Sequence, residues 1–165
     1  MPVHLVVETR AVVLSSRTIT TRATRMLAAV QMQKAELSIV LTGDKQIHKL
    51  NKDYRGKDRP TDVLAFAMRE GEFGAISPDE ARGKVGELLG DVIVSLATAA
   101  RQARERGVAP LDEVTMLIAH GILHLLGWDH ETAAKDRAMR KETDRLVAAA
   151  TSRPPYKGRK KKTQT

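Results

Sequence analysis

The stretch from Met116 to Leu126 is apolar at nearly every position, yet it contains His120 and His124. Pro110 ahead of it favours the start of a helix, and Gly127 after it favours an end. A helix that is apolar nearly all round belongs in the core, where a histidine without a partner is costly. The segment therefore predicts a core helix whose two histidines need partners.

The histidine spacing predicts a metal site. His120 and His124 lie four residues apart, so on a helix they project from the same face. Gly127 lets the chain reverse, and a tight turn can then bring His130 back beside them. A single buried histidine is usually a hydrogen-bonded structural residue, but here three of the chain's five histidines fall within eleven residues. Their convergence favours one shared metal ion over three separate structural roles.

The composition narrows the kind of metal site. The chain has no cysteine, so disulfides, thiolate catalysis and cysteine-bound zinc are excluded. Three neutral nitrogen ligands suit zinc, one ion per chain, although nickel or another late divalent metal fits the same ligands. Structural zinc sites normally have four protein ligands, so three ligands and an open position predict a catalytic ion. Such an ion can lower the pKa of water to about 7 and polarise a phosphoryl or carbonyl oxygen.

The spacing H-x3-H-x2-G-x2-H is also that of the metzincin peptidases, in which a glutamate directly after the first histidine is the general base. Here that position is Gly121. A metallopeptidase-like hydrolase stays an alternative without its usual base, and the identity of the general base stays open.

The other periodicities predict an α+β or mixed α/β fold, with about four strands in one sheet packed against several helices. One helix is expected after Asp44, with Ile47, Leu50 and Tyr54 on its apolar face. Strands are predicted at 3–7 and 11–14 (one strand or a pair at a sheet edge), 36–41, 63–67 and 88–95. Further helices are predicted at 20–32, 96–106, from 110 to Gly127, and at 134–150.

Length and charge predict one domain over residues 1–152, with a long loop at 69–87. The net charge of +8 lies mostly in 153–165, where six Lys and Arg face no acidic residue; the rest has 22 basic and 20 acidic groups, a net of +2. We expect a disordered tail, either an arm for polyphosphate or a solvated terminus. No stretch approaches the roughly 20 apolar residues of a membrane span, which predicts a soluble, cytoplasmic protein without membrane contact.

Several polar residues are candidates for contact with a substrate. Arg55, Lys57 and Arg59 form a basic cluster expected on a loop that enters a strand. Asp91 follows Gly90 inside an apolar strand, which indicates either a bulge with a capping role for Asp91 or a carboxylate directed at the site. His4 is expected to be an ordinary strand residue and not a ligand.

Three motifs together resemble the YbeY family of bacterial endoribonucleases. The segment HGILHLLGWDH resembles the family's histidine motif, NKDYRGKDRPTDVLAF its second signature and LLGDVIVS its third, in the same order. They span Asn51 to His130, about half the chain. The sequence departs from the family in reading AF and AMRE where SF and Pro are usual, and the tail beyond Arg153 has no counterpart.

The resemblance implies a metal-dependent endoribonuclease that cleaves single-stranded RNA, matures the 3′ end of the small-subunit ribosomal RNA, takes part in ribosome quality control and contacts small-subunit components. Whether water or the RNA 2′-hydroxyl attacks stays open. A non-catalytic ribosome-assembly factor with a structural zinc ion is a further alternative. The residues concerned are His120, His124 and His130 for the metal, Arg55 for catalysis, and Lys57, Arg59 and Asp91 as candidates for substrate binding.

Overall fold

The structure, a computed structural model, describes residues 3–68 and 88–152. The predicted loop at 69–87 and the predicted tail at 153–165 lie outside the described residues. Within these ranges the strands are β1 (Val3–Val7), β2 (Glu36–Thr42), β3 (Val63–Ala67) and β4 (Leu88–Ser95). The helices are α1 (Ser16–Ala29), α2 (Asp44–Arg55), α3 (Leu96–Arg106), α4 (Pro110–Leu125) and α5 (Ala133–Thr151).

The four strands form one mixed sheet in the order β1-β2-β4-β3. Strands β1, β2 and β4 run parallel, and β3 pairs antiparallel with β4. Because β1 and β3 each have one neighbour in this order, they form the two edges of the sheet. The predicted α+β class with a four-stranded sheet is confirmed, as is the edge position of the first strand.

Helices cover both faces of the sheet. On one face α1, α3, α4 and α5 share a large aliphatic core with β1, β2 and β4. On the other face α2 contributes Ile47 to a smaller cluster with Leu64 and Ile93. Helix α4 lies at the centre of the larger core, and ten of its sixteen residues are buried, as its nearly uniform apolar composition predicted.

Local sequence explains both ends of α4. Pro110 occupies its first turn, and Asp112 and Glu113 place negative charge near the positive end of the helix dipole. At the other end Gly127 has a positive φ of 96°. Its N–H donates to the His124 carbonyl, and the Trp128 N–H donates to the Leu123 carbonyl, each at 3.0 Å. This pair of bonds is a Schellman motif, so the predicted stop at Gly127 is confirmed.

Three local predictions were wrong. Residues 11–14 form bends and coil, because the ladder with β2 ends at Val7 and α1 begins at Ser16. Arg55 is the last residue of α2 and not a loop residue, because Gly56, with φ of 71°, ends the helix one residue later. Tyr54 does not lie on the buried face with Ile47, since it is 65% exposed.

No single helix in the described ranges has both the length and the apolar character needed to cross a membrane. Helices α3 and α4 pass that test only when taken together, and they meet at a bend of 114°.

Candidate metal centre

His120, His124 and His130 converge as the sequence predicted. The Nε2 atoms of His120 and His124 lie 3.1 Å apart, and the candidate ligand atoms of all three residues lie within 4.8 Å of one another. Two nitrogens bound to one tetrahedral ion at 2.0–2.1 Å stand about 3.3 Å apart. His120 and His124 are half-buried and His130 is exposed. The geometry therefore suits one ion at the surface end of a core helix, open on its His130 side.

The turn after α4 fixes the position of His130. The Schellman bonds at Gly127 reverse the chain, and the Glu131 N–H then donates to Asp129 Oδ1 at 3.1 Å. Thr132 caps α5 by accepting from the Lys135 N–H at 3.0 Å. The third imidazole thus lies between two helix ends that are each held by hydrogen bonds.

Burial and neighbouring charges keep the imidazoles of His120 and His124 neutral, which is the form that binds metal. Burial, followed by the nearby His124 and His130, lowers the pKa of His120 to about 4. The pKa of His124 is also lowered, by burial first and then by His130 and Arg55, against a backbone hydrogen bond from Trp128. Nε2 of His124 faces Nε2 of His120 at 3.1 Å, so these two nitrogens are the candidate ligand atoms of the pair.

The donor set fits a divalent ion that prefers nitrogen. In the part of the chain that the structure describes, the cluster of side chains close enough to share one metal ion consists of three imidazoles and contains no carboxylate. The remaining two histidines lie elsewhere: His4 pairs with Glu36 at 3.0 Å and His48 with Asp58 at 2.7 Å. Neither belongs to the cluster, in agreement with the expectation for His4.

Gly121 occupies the position at which a metzincin has its glutamate. A Cβ on this residue would lie 2.7 and 2.9 Å from the two methyl carbons of Val92 on β4. The helix therefore rests directly on the sheet here, and no side chain fits between them. A metallopeptidase with this histidine spacing would therefore lack its usual general base, and the packing leaves no room for a glutamate side chain at position 121.

Arg55 lies at the end of α2 against the edge strand β3, near enough to His124 for its charge to act on that imidazole. Its guanidinium lies 4.5 Å from the centroid of the Phe66 ring, and its Nη2 donates to the Ala65 carbonyl at 2.8 Å. Both contacts are on β3, the edge strand. Its positive charge contributes to the lowered pKa of His124. A guanidinium held on one side by an aromatic face and a carbonyl is an ordered cation beside the candidate metal centre.

Lys57 and Arg59 lie on the loop between α2 and β3, and both are exposed. The loop backbone is ordered by the Asn51 side-chain amide, which donates to the Arg59 carbonyl at 2.9 Å, and by the Arg59 N–H, which donates to the Lys57 carbonyl at 2.9 Å. The two cations thus follow Arg55 along the surface, outside the histidine cluster.

Asp91 lies on β4 between Ser38 of β2 and Phe66 of β3. The register shift between β2 and β4 next to Gly90 is the predicted bulge. A Cβ on Gly90 would overlap the Phe66 carbonyl and lie 2.8 Å from Leu125, so the close approach of these elements requires glycine there. Gly90 and Val92 both face α4, and strand alternation directs Asp91 to the opposite face. The structure does not bring Asp91 into the histidine cluster.

Tyr54 and Phe66 are neighbours of Arg55 that the sequence did not group with the candidate site. Their rings meet edge to face, with centroids 5.6 Å apart, and Phe66 carries the Arg55 guanidinium. The available signal was the scarcity of aromatic residues, which are 3% of the chain. An aliphatic core does not need them, so aromatics beside a basic cluster were candidates for contact with a ligand.

Comparisons with known proteins show what this chain is similar to. The sequence profile of the family described as Endoribonuclease YbeY matches residues 7–151. A protein named Endoribonuclease YbeY from Geobacter metallireducens is 48% identical over 120 residues, 73% of this chain and 75% of the relative. The protein of that name from Aquifex aeolicus is 44% identical over 127 residues, 77% of each chain. The solution structure of TM1509 from Thermotoga maritima shares the fold, with a TM-score of 0.59, 23% identity, and coverage of 90% of this chain and 88% of that one.

Proposed function

Because the chain belongs to the Endoribonuclease YbeY family, we propose that it is a metal-dependent endoribonuclease that cleaves single-stranded RNA in ribosomal RNA processing. The observation that carries this proposal is the convergence of His120, His124 and His130 beside the ordered guanidinium of Arg55. A nitrogen-bound ion and a planar cation together provide what a phosphodiester needs, namely a Lewis acid and a partner for the charge of the phosphate oxygens.

The three imidazoles would hold one divalent ion, and zinc is our first candidate because it takes nitrogen ligands and keeps an open position in catalytic sites. When bound, the ion supplies Lewis-acid activation of the phosphate and of water. Nickel or another late metal is the alternative that metal analysis would distinguish.

Arg55 is the residue that we assign to catalysis. Its guanidinium is held by Phe66 and Ala65, so it can pair with phosphate oxygens without a further loss of side-chain freedom. Lys57 and Arg59 lie exposed on the loop that follows, and we propose that they attract and position the RNA backbone. Asp91 stays a predicted substrate contact: it lies outside the histidine cluster, but it pairs with Phe66 and therefore lies on the same face of the sheet as the ring that carries Arg55.

For the biological substrate we propose the 3′ end of the small-subunit ribosomal RNA, with ribosomal small-subunit components as partners. Family membership supports this proposal, and the exposed basic residues are compatible with a large polyanionic partner.

The experiment that tests the proposal combines metal analysis with cleavage of an end-labelled single-stranded RNA. Wild type, His124→Ala and Arg55→Ala would be compared at matched folded fraction, with His48→Ala as the control histidine. We expect about one metal ion per chain in wild type, loss of metal and cleavage in His124→Ala, and loss of cleavage alone in Arg55→Ala. Stoichiometric metal with no RNA cleavage would instead favour an assembly factor with a structural ion.

A further inference from the structure

The three aromatic residues in the described part of the chain lie close in space or in sequence to Arg55 or His130. Tyr54 and Phe66 touch each other next to Arg55, and Trp128 lies two residues before His130. Tyr54 is 65% exposed and Trp128 is 37% exposed. In the described part of the chain the larger core is aliphatic and Phe66 packs against the smaller one, so the exposed rings of Tyr54 and Trp128 are the ones that are not there to fill a core.

Tyr54 is held in place although it is exposed. The ring of Phe66 meets it edge to face, at an interplanar angle of 69°, and the backbone of Tyr54 is in the last turn of α2. An aromatic ring ordered in this way loses little freedom when a second flat group stacks on it.

The surface around Tyr54 is strongly basic. Residues 49–59 contain five Lys and Arg against two Asp, a net of +3, and every residue from 52 to 60 is exposed. The neighbours of the ring are thus charged and solvated, which suits a polyanion and gives an apolar peptide segment little to bind. Positive charge interleaved with an exposed aromatic is the arrangement by which proteins hold single-stranded nucleic acid.

We propose that Tyr54 is a stacking platform for one nucleobase of the single-stranded RNA substrate, placed so that the adjoining phosphate passes Arg55. This inference rests on the proposed function and extends it, because it assigns the preference for single strands to a particular residue. A base can stack on Tyr54 only when it has left its own helical stack, which a duplex resists. Tyr54 is thus a positioning residue for the RNA and takes no part in bond cleavage.

The test measures binding separately from cleavage. Metal-loaded protein would be titrated into fluorescent 2′-O-methyl RNA oligomers, followed by anisotropy, using one oligomer with all its bases and a set that each lack one base. The variants are Tyr54→Ala, Tyr54→Leu and Tyr54→Phe. Lys57→Ala is the electrostatic control, two residues along the chain from the last turn of α2.

We expect wild type to bind more weakly when one particular base is missing. Tyr54→Ala and Tyr54→Leu should bind the complete oligomer about 5- to 150-fold more weakly, the equivalent of the ~1–3 kcal/mol of one stacked base. They should also lose the sensitivity to the missing base, whereas Tyr54→Phe keeps both. The salt slope should be unchanged in the Tyr54 variants and smaller by about 0.7 in Lys57→Ala.

The inference is overturned if Tyr54→Ala binds the complete oligomer as tightly as wild type, or if its loss is the same for every oligomer, since a structural defect would act on all of them. Cleavage of unmodified RNA by wild type, measured in parallel, separates the two claims. Base-dependent binding through Tyr54 without cleavage would support the platform and contradict the endoribonuclease. If wild type cleaves RNA but neither cleavage nor binding changes in the Tyr54 variants, the endoribonuclease is supported and the platform is contradicted.

Discussion

A Cβ placed on Gly121 would lie 2.7 Å from Cγ1 of Val92, so the helix that carries two candidate ligands touches the sheet with no side chain between them. Val92 is fully buried in the larger core, and a β-branched side chain has few alternative rotamers into which it can move. The contact fixes the height of His120 above the sheet and accounts for a glycine inside a helix.

Gly121→Ala should destabilise the protein by about 1–2 kcal/mol. Overpacking a core typically costs ~1–3 kcal/mol, and the better helix propensity of alanine returns up to ~1 kcal/mol. Urea denaturation measures the change. The control is Gly43→Ser, because a Cβ at Gly43 meets nothing within 4 Å and serine is a preferred N-cap.

The same contact predicts the result of a double-mutant cycle. Val92→Ala removes both methyl groups that the new Cβ would meet, so Gly121→Ala should cost less in the Val92→Ala background than in wild type. Additive effects of the two substitutions would show that Val92 is not the obstacle.

Asp44 connects the start of α2 to the junction of β4 and α3. Its Oδ1 accepts from Ser95 Oγ at 2.6 Å and from Thr98 Oγ1 at 2.5 Å, and its Oδ2 accepts from Arg101 at 3.0 Å. Burial alone would raise the pKa of Asp44, but these three donors outweigh it and lower the pKa below 3.8. The charged carboxylate is therefore the form that stabilises the fold.

Asp44→Asn should cost about 1.5–3 kcal/mol at pH 7, the range for hydrogen bonds to charged groups. Because the folded pKa lies below the unfolded value of 3.8, this stability is present above pH 3.8 and is lost as the pH falls through the folded pKa. Unfolding free energies at pH 7 and at acid pH measure the difference. Asp53→Asn on the same helix is the control, and an equal loss from Asp44→Asn at both pH values would contradict the linkage.

The histidine centre could be predicted from the sequence because every signal for it is local. A four-residue interval on an apolar helix, a glycine in the turn and a third histidine six residues on fix the geometry within one segment, and α4 and Gly127 follow it. The strands at 36–42, 63–67 and 88–95 were also predictable, since short β-branched runs between turn residues mark them.

The surroundings of the centre could not be predicted, because they depend on pairing between distant strands. The contact of Arg55 with Phe66 requires β3 to lie antiparallel to β4 at the sheet edge. The face to which Asp91 points depends on the register after the bulge at Gly90. Spacing alone grouped Tyr54 with the buried residues of α2, whereas in the structure its ring is 65% exposed and meets Phe66 edge to face.

Removing the metal should lower the free energy of unfolding, and this loss should depend on the histidine cluster and not on other histidines. At a metal concentration 100-fold above its dissociation constant, binding to the folded state adds about 2.7 kcal/mol, or roughly 5–10 °C in Tm for a domain of this size. Thermal unfolding of chelated and reloaded protein measures this shift. His124→Ala should show no shift on adding metal, while His4→Ala should respond as wild type does, because His4 pairs with Glu36 away from the cluster. A shift retained in His124→Ala would place the ion elsewhere.

Arg55→Lys should lower kcat/KM for RNA cleavage by about 100-fold, although the charge is kept, because removing one preorganised partner of a transition-state charge typically costs ~10²–10³. The guanidinium carbon lies 4.5 Å from the Phe66 ring centroid, and lysine has neither a planar group to stack there nor two parallel donors for a phosphate. Steady-state kinetics on metal-loaded protein measures the loss, and metal content should be unchanged because Arg55 is not a member of the ligand group. Lys57→Ala is the control and should act mainly on KM through weaker RNA attraction. Near-wild-type activity of Arg55→Lys would assign Arg55 to general electrostatic attraction and remove it from the catalytic step.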